Sequence, residues 1–324
     1  MSSLSRRNKI LIVVFAVIAV IVVAALLFPA TTPEVHLAAN YGPYTEGDHT
    51  PEPFAKIGPI YITNTLIATW MSVVVLGGLF YFATRRMKLV PTGLQNLLEF
   101  VLEWLINFVE SAAGKENGRR FFPIVATIFL FVLANAWMGL LPFFNVIGWG
   151  HTGTASTLIY GTYEGHLVDL ALFRPANTDI NVPLMLALVS FVSVEYWGIT
   201  SLGLRHYGGK FFRFGQYLQG LGLIARGQLK SGLGTVFNGA IDIFVGILEL
   251  LSEFIRIISF TFRLFGNMTA GEVLLMSMAF VVPAVVPVLF YGLEMLFGAI
   301  QALIFAGLTL VFATLAVAPH KAEH

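Results

Sequence analysis

Six apolar runs, each close to or beyond the roughly 20 helical residues that cross a bilayer core of about 30 Å, leave this chain few alternatives. They are Ile10–Phe28, Ile60–Ala83, Phe121–Leu141, Val182–Leu204, Val236–Val282 and Pro287–Ala318. Composition agrees: of 324 residues 57% are apolar and 11% charged, with a mean hydropathy of +0.80. A soluble domain carries about 25% charged residues, so this chain cannot cover a water-facing surface. It reads as an all-α integral membrane protein with about six membrane-inserted helices.

The first run follows Arg6, Arg7 and Lys9. A cleaved signal peptide competes with a retained span there. Retention is the favoured reading, because the run exceeds the roughly 7–15 apolar residues of a signal and no clean A-x-A site follows. The segment Thr31–Pro53, rich in Pro, Gly and acids, then leads to the second run, which Arg85, Arg86 and Lys88 stop. Residues 1–58 form one expected unit, an N-terminal transmembrane helix with its extracytoplasmic segment, and 59–318 the other.

Leu94–Ala112 sets Glu99, Glu103 and Glu110 among Leu97, Leu98, Val101, Leu102, Leu105 and Ile106. That pattern predicts an amphipathic helix lying at the interface. The connection from Phe143 to Asn181 is rich in Gly and Thr, and Gly148–Gly165 has no helical pattern. A basic, Gly-rich loop is expected from Arg205 to Gly234. At about 70 Å if helical, Val236–Val282 exceeds a perpendicular crossing, so it tilts or bends. With the last run it is expected to form a hairpin of two long, strongly tilted helices, broken at Pro283 and Pro287.

Charge bias orients the chain. If the N-terminus, 84–120, 205–235 and the C-terminus are cytoplasmic, that side holds fifteen of the nineteen Lys and Arg. The opposite side keeps only Lys56 and Arg174, and Arg256 and Arg263 lie within the long helix. The positive-inside rule therefore predicts both termini in the cytoplasm.

Several chemistries drop out. With no cysteine there are no disulfides, iron–sulfur clusters or thiolate metal sites. All seven histidines fall outside the apolar runs, which excludes haem held by intramembrane histidines. No phosphate-binding G-x-x-x-x-G-K-[ST] loop exists; Lys230-Ser231 lacks its glycine. No cofactor, metal or nucleic-acid partner is expected.

Ionisable groups inside an apolar helix cost several kcal/mol each and mark function by default. The long segment carries Asp242, Glu249, Glu253, Arg256, Arg263, Asn267 and Glu272. At 100° per residue the first six fall within about 80° of one another, one polar stripe. Glu272 faces the opposite way. On the last helix Glu294 and Gln301, seven apart, share a face. Glu253 and Arg256, at i and i+3, suit a plain internal ion pair, and for Asp242 and Glu195 as well a packing role competes with a functional one. Arg263 differs, because its local turn is apolar and offers no acid at i±3 or i±4. An arginine cannot shed its proton, so its partner must come from another helix or another subunit. A fixed cation near the midplane with acids on two faces is a divided proton path. It suits a self-contained proton-coupled secondary transporter as well as a rotary stator, though the inverted repeats of many transporters are not seen.

The stretch Ser259-Phe260-Thr261-Phe262-Arg263-Leu264-Phe265-Gly266-Asn267-Met268-Thr269-Ala270-Gly271-Glu272 closely resembles the signature of subunit a of F-type ATP synthases. Two further matches occur in order: Asp179-Ile180-Asn181-Val182 resembles the family's D-x-N-V, and Gln301-Ala302-Leu303-Ile304-Phe305 its Q-A-x-I-F. The resemblance covers roughly Pro59 to Ala318. It departs in the extra segment 1–58, in Ile257 after Arg256 where proline is common, and in the longer spacing from Asn135 to Gly139, so Asn135 takes no role.

The resemblance implies that Arg263 is the essential arginine facing the carboxylates of a rotating c-ring. Glu272, Glu294 and Gln301 would line the half-channel open to the outside, with Glu294 the partner of Glu272. Asn267 would lie close to the arginine, and Glu249 and Ser252 on the cytoplasmic path. It further implies a non-catalytic subunit, with ATP chemistry on other chains, whose partners are the c-ring, the b subunits of the peripheral stalk, protons and lipid. A bacterial plasma (inner) membrane is the expected location, since no Arg/Ser-rich transit pattern is present; an organelle-encoded chain is the alternative.

Overall fold

The computed structural model describes residues 56–57, 60–141, 147–152, 155–160, 170–171, 173–211, 214–225, 228–281 and 286–318. The expected first span Ile10–Phe28, the acidic segment Thr31–Pro53 and the break at Pro283 lie outside the described residues. Eight helices are described: α1 (Asn64–Thr84), α2 (Leu94–Ala113), α3 (Lys115–Gly139), α4 (Asn181–Leu202), α5 (Leu204–Phe211), α6 (Gly215–Ala225), α7 (Leu229–Val281) and α8 (Val286–Val317).

Among the described residues, α1, α3, α4 and nearly all of α8 are long and apolar enough to cross a membrane. The 53-residue α7 carries the polar stripe and would extend about 80 Å. Strands are confined to connections: β1 (Lys56–Ile57) pairs antiparallel with β2 (Ile60–Tyr61), and β3 (Ile147–Thr152) pairs with both β4 (Ala155–Tyr160) and β5 (Leu170–Ala171). The β3–β4 hairpin occupies the stretch in which no helical pattern is legible.

The chain divides into two compact units. The first comprises residues 1–98, 129–182 and 264–304. Its α1 begins at Thr63, whose hydroxyl accepts from the Leu66 amide at 3.2 Å. Ser72 of α1 donates to Asn135 Oδ1 of α3 at 2.6 Å, and Asn135 Nδ2 caps the Phe131 carbonyl at 3.0 Å. Asn135, given no functional role above, is thus a buried polar staple between two apolar helices, a contact of order 1 kcal/mol. Ala68, Met138 and Ala176 form a small core with Met71, Phe173 and Val182 against it.

The second unit comprises residues 99–128, 183–263 and 305–324. Gly114, at φ 77°, caps α2 by donating to the Glu110 carbonyl at 2.9 Å and turns the chain into α3. The Phe121 ring lies tilted against Trp197 with centroids 4.5 Å apart, and Ser190 and Thr309 share a buried hydrogen bond of 2.7 Å. Phe260 of α7 meets Phe305 and Phe312 of α8.

The expected loop 205–234 is corrected: it holds α5, α6 and the first turns of α7, which starts at Leu229 and not at Val236. Glycines suggested a loop, but they serve helix contact. A Cβ on Gly220 would come 2.6 Å from the Val236 amide nitrogen, and one on Gly232 2.9 Å from that of Ile224. Only glycine lets α6 and α7 approach this closely.

Candidate functional site

Within the first unit the polar residues of α7 and α8 meet in antiparallel order. Asn267 Nδ2 donates to Gln301 Oε1 at 2.8 Å. One turn further along α7, Gly271 faces the Glu294 carboxyl so closely that a Cβ there would collide with both of its oxygens. The α8 face that carries Gln301 and Glu294 thus meets the α7 face that carries Asn267 and Gly271. Gln301 is only 2% exposed, and its Nε2 has no hydrogen-bond partner among the described residues. A buried donor left unsatisfied costs about 1–3 kcal/mol, so water or a mobile polar group is the natural occupant beside it.

Glu272 points elsewhere, as its angular position requires. Its Oε2 lies 4.0 Å from Arg174 Nη2, in a strap of chain leading to α4. Arg174 is 5% exposed. Burial lowers the proton affinity of its guanidinium, and the charges of Glu272 and Asp179 oppose that shift; the group stays charged. Sequence reasoning assigned Arg174 no role. Its one signal was that it is, with Lys56, an exception to the positive-inside count.

Asp179 is the strap's anchor. Its Oδ1 accepts from the Asn181 amide and side chain, both at 3.0 Å, and its Oδ2 from Thr65 Oγ1 at 2.7 Å. The D-x-N pattern therefore builds the start of α4 and ties it to α1.

In the second unit the stripe is partly structural. Arg256 forks onto Glu253, at 2.6 Å and 3.0 Å to its two oxygens, and lies over the Phe312 ring at 3.7 Å. The internal pair expected for these two residues is therefore present. Tyr207 of α5 is buried on Gly198, where a Cβ would strike its ring. Its hydroxyl holds its proton more tightly than usual, through burial first and then hydrogen bonding to Glu195. Asp242 and Glu249 are half-buried, and Ser252 is exposed.

Arg263 is the last α7 residue of this unit and is half-buried. Glu253, three residues from Arg256, is taken by it, and no ion pair or hydrogen bond joins Arg263 to any described residue. Of the predicted site residues, the structure thus brings Asn267 to Gln301 and Glu294 beside Gly271, next to Glu272. Arg263, Glu249 and Ser252 belong to the other unit. Among the described residues no three of His, Cys, Asp or Glu gather to hold a metal.

Residues 66–314 match the family described as ATP synthase A chain. ATP synthase subunit a of Gloeobacter violaceus is 32% identical over 270 residues, covering 83% of this chain and 90% of that protein. ATP synthase subunit a of Moorella thermoacetica is 27% identical over 256 residues, covering 79% and 91%. The match extends across all the membrane helices described, including the α7 signature and the α8 glutamine. The chain belongs to the ATP synthase A chain family, as a multi-pass subunit a of that synthase's membrane sector.

Proposed function

We propose that this chain is the stationary proton-conducting subunit of a rotary ATP synthase. In this reading protons from the outside pass Glu272, Glu294, Gln301 and Asn267 and protonate a carboxylate of the c-ring. A neutral acid can then rotate into lipid, because burying it costs far less than burying its anion. After nearly a full turn the site gives its proton to the cytoplasmic path by Glu249 and Ser252, and passes Arg263 as an anion. The arginine attracts the carboxylate and repels a proton crossing directly. A membrane potential supplies about 2.3 kcal/mol per charge per 100 mV, so several protons drive each ATP. Both termini are cytoplasmic, in a bacterial plasma membrane, with b subunits of the peripheral stalk as further partners.

The observation carrying this reading is Arg263, which meets no acid among the described residues of its own chain. An unpaired intramembrane cation is costly, and a carboxylate from a partner offsets that cost. Liposomes under an imposed potential test it. Proton flux is expected only where this chain and the c-ring are both present. Flux through this chain alone would contradict the proposal and favour a self-contained transporter.

A further inference from the structure

We propose that Arg174 is a positioning residue of the proton-uptake path, whose guanidinium fixes the placement and charge state of Glu272. The inference rests on the reading of Glu272 as an uptake acid.

The strap holding Arg174 is built with more attachment than a connection needs. Asn177, 1% exposed, donates to the Val132 carbonyl of α3 at 3.4 Å. Pro175 packs on Gly139, where a Cβ would lie 2.8 Å from the proline ring. The Thr178 hydroxyl donates to the Pro175 carbonyl at 2.8 Å, and Asp179 is bound to Thr65 and Asn181. Four of the five residues 175–179, around the 3-10 turn Ala176–Thr178, are thus pinned. Their joint effect is to hold a buried cation against one acid of α7.

Among the described residues, the strap brings Arg174 to Glu272, with Asp179 acting on the arginine, and α8 brings Glu294, whose carboxyl lies over the neighbouring Gly271. At the strap, α1 supplies the neutral Thr65 and α3 the Val132 carbonyl. A cation at this distance favours the ionised carboxylate, and Glu294 nearby works against it. An uptake acid must accept a proton and then release it. Without Arg174, the proton would stay on Glu272 to higher outer pH and transfer onward more slowly.

The test uses the assembled complex in vesicles, with proton uptake measured against outer pH at fixed inner pH. Arg174→Gln is expected to lower the maximal rate and move the outer-pH midpoint about one unit or more to the alkaline side. In the Glu272→Gln background the same substitution is expected to move nothing further. Arg174→Lys, which keeps the charge, is expected to retain the unsubstituted midpoint. A lowered rate with an unmoved midpoint in Arg174→Gln would reduce Arg174 to packing and overturn the inference. If Arg174→Gln does not assemble, Arg174→Lys carries the test, and a full-unit shift with the charge intact overturns it. Arg263→Ala is assayed alongside. Normal pumping in it sinks the underlying reading, whereas a dead Arg263→Ala with an unmoved Arg174→Gln midpoint sinks only this inference.

Discussion

Arg263→Ala is expected to abolish ATP-driven proton pumping and, with a c-ring present, to open a passive leak. The structure makes this a clean substitution. In the described residues Arg263 has no ion-pair partner, so its removal orphans no acid among them. Truncating one side of a buried pair, as Arg256→Ala would do to Glu253, costs about 3–5 kcal/mol and confuses folding with function. At Arg263 that penalty is absent, and α7 gains a better helix former. The complex is therefore expected to assemble normally while losing coupling. ATP-driven quenching of a pH-sensitive dye in inverted vesicles measures the pumping, and dye recovery on de-energising measures the leak. Unimpaired pumping would contradict the role given to Arg263.

The double substitution Glu272→Gln with Glu294→Gln is expected to lower proton uptake by about 100-fold or more, the usual scale for removing positioned proton-transfer groups. Glu272→Gln alone slows uptake less where Glu294 substitutes for it. The geometry explains why the pair must be tested together. Glu294 has its carboxyl over Gly271, one residue from Glu272, while Glu272 reaches the other way to Arg174. On the proposed path either acid would receive a proton from the outside, so each can stand in for the other. Rates of passive uptake through the membrane sector, compared among the singles and the double, decide it. An unchanged rate in the double variant would remove both acids from the path.

Much of this was legible in the sequence because membrane helices obey few rules. Length and hydropathy located α1, α4 and α8 to within about four residues and missed the polar first turns of α3, which starts at Lys115 and not at Phe121, and the angular positions on α7 separated Glu272 from the Asn267 face before any packing was seen. The i, i+3 pairing of Glu253 with Arg256 followed from spacing alone. What failed was glycine. Gly220 and Gly232 read as loop residues, yet each is a point where α6 and α7 touch, and a single sequence cannot distinguish a glycine that bends a chain from one that admits a neighbour. Arg174 was missed for a related reason. Its partner lies 98 positions away, and only the folded strap carries it to Glu272.

The central claim, that the Arg263 face of α7 works against a rotor, is tested most directly by disulfide crosslinking in a chain that has no native cysteine. Ser259 and Asn267 lie one turn either side of Arg263 on the same face and are both exposed, whereas the adjacent Leu264 is fully buried and a poor probe. Cysteines at 259 and 267 are paired with cysteines along the outer helix of the c-subunit. The account predicts crosslinks from both positions, each blocking ATP-driven pumping until reduced. No crosslink from either position, with the complex assembled, would contradict it and leave Arg263 to a partner within its own chain.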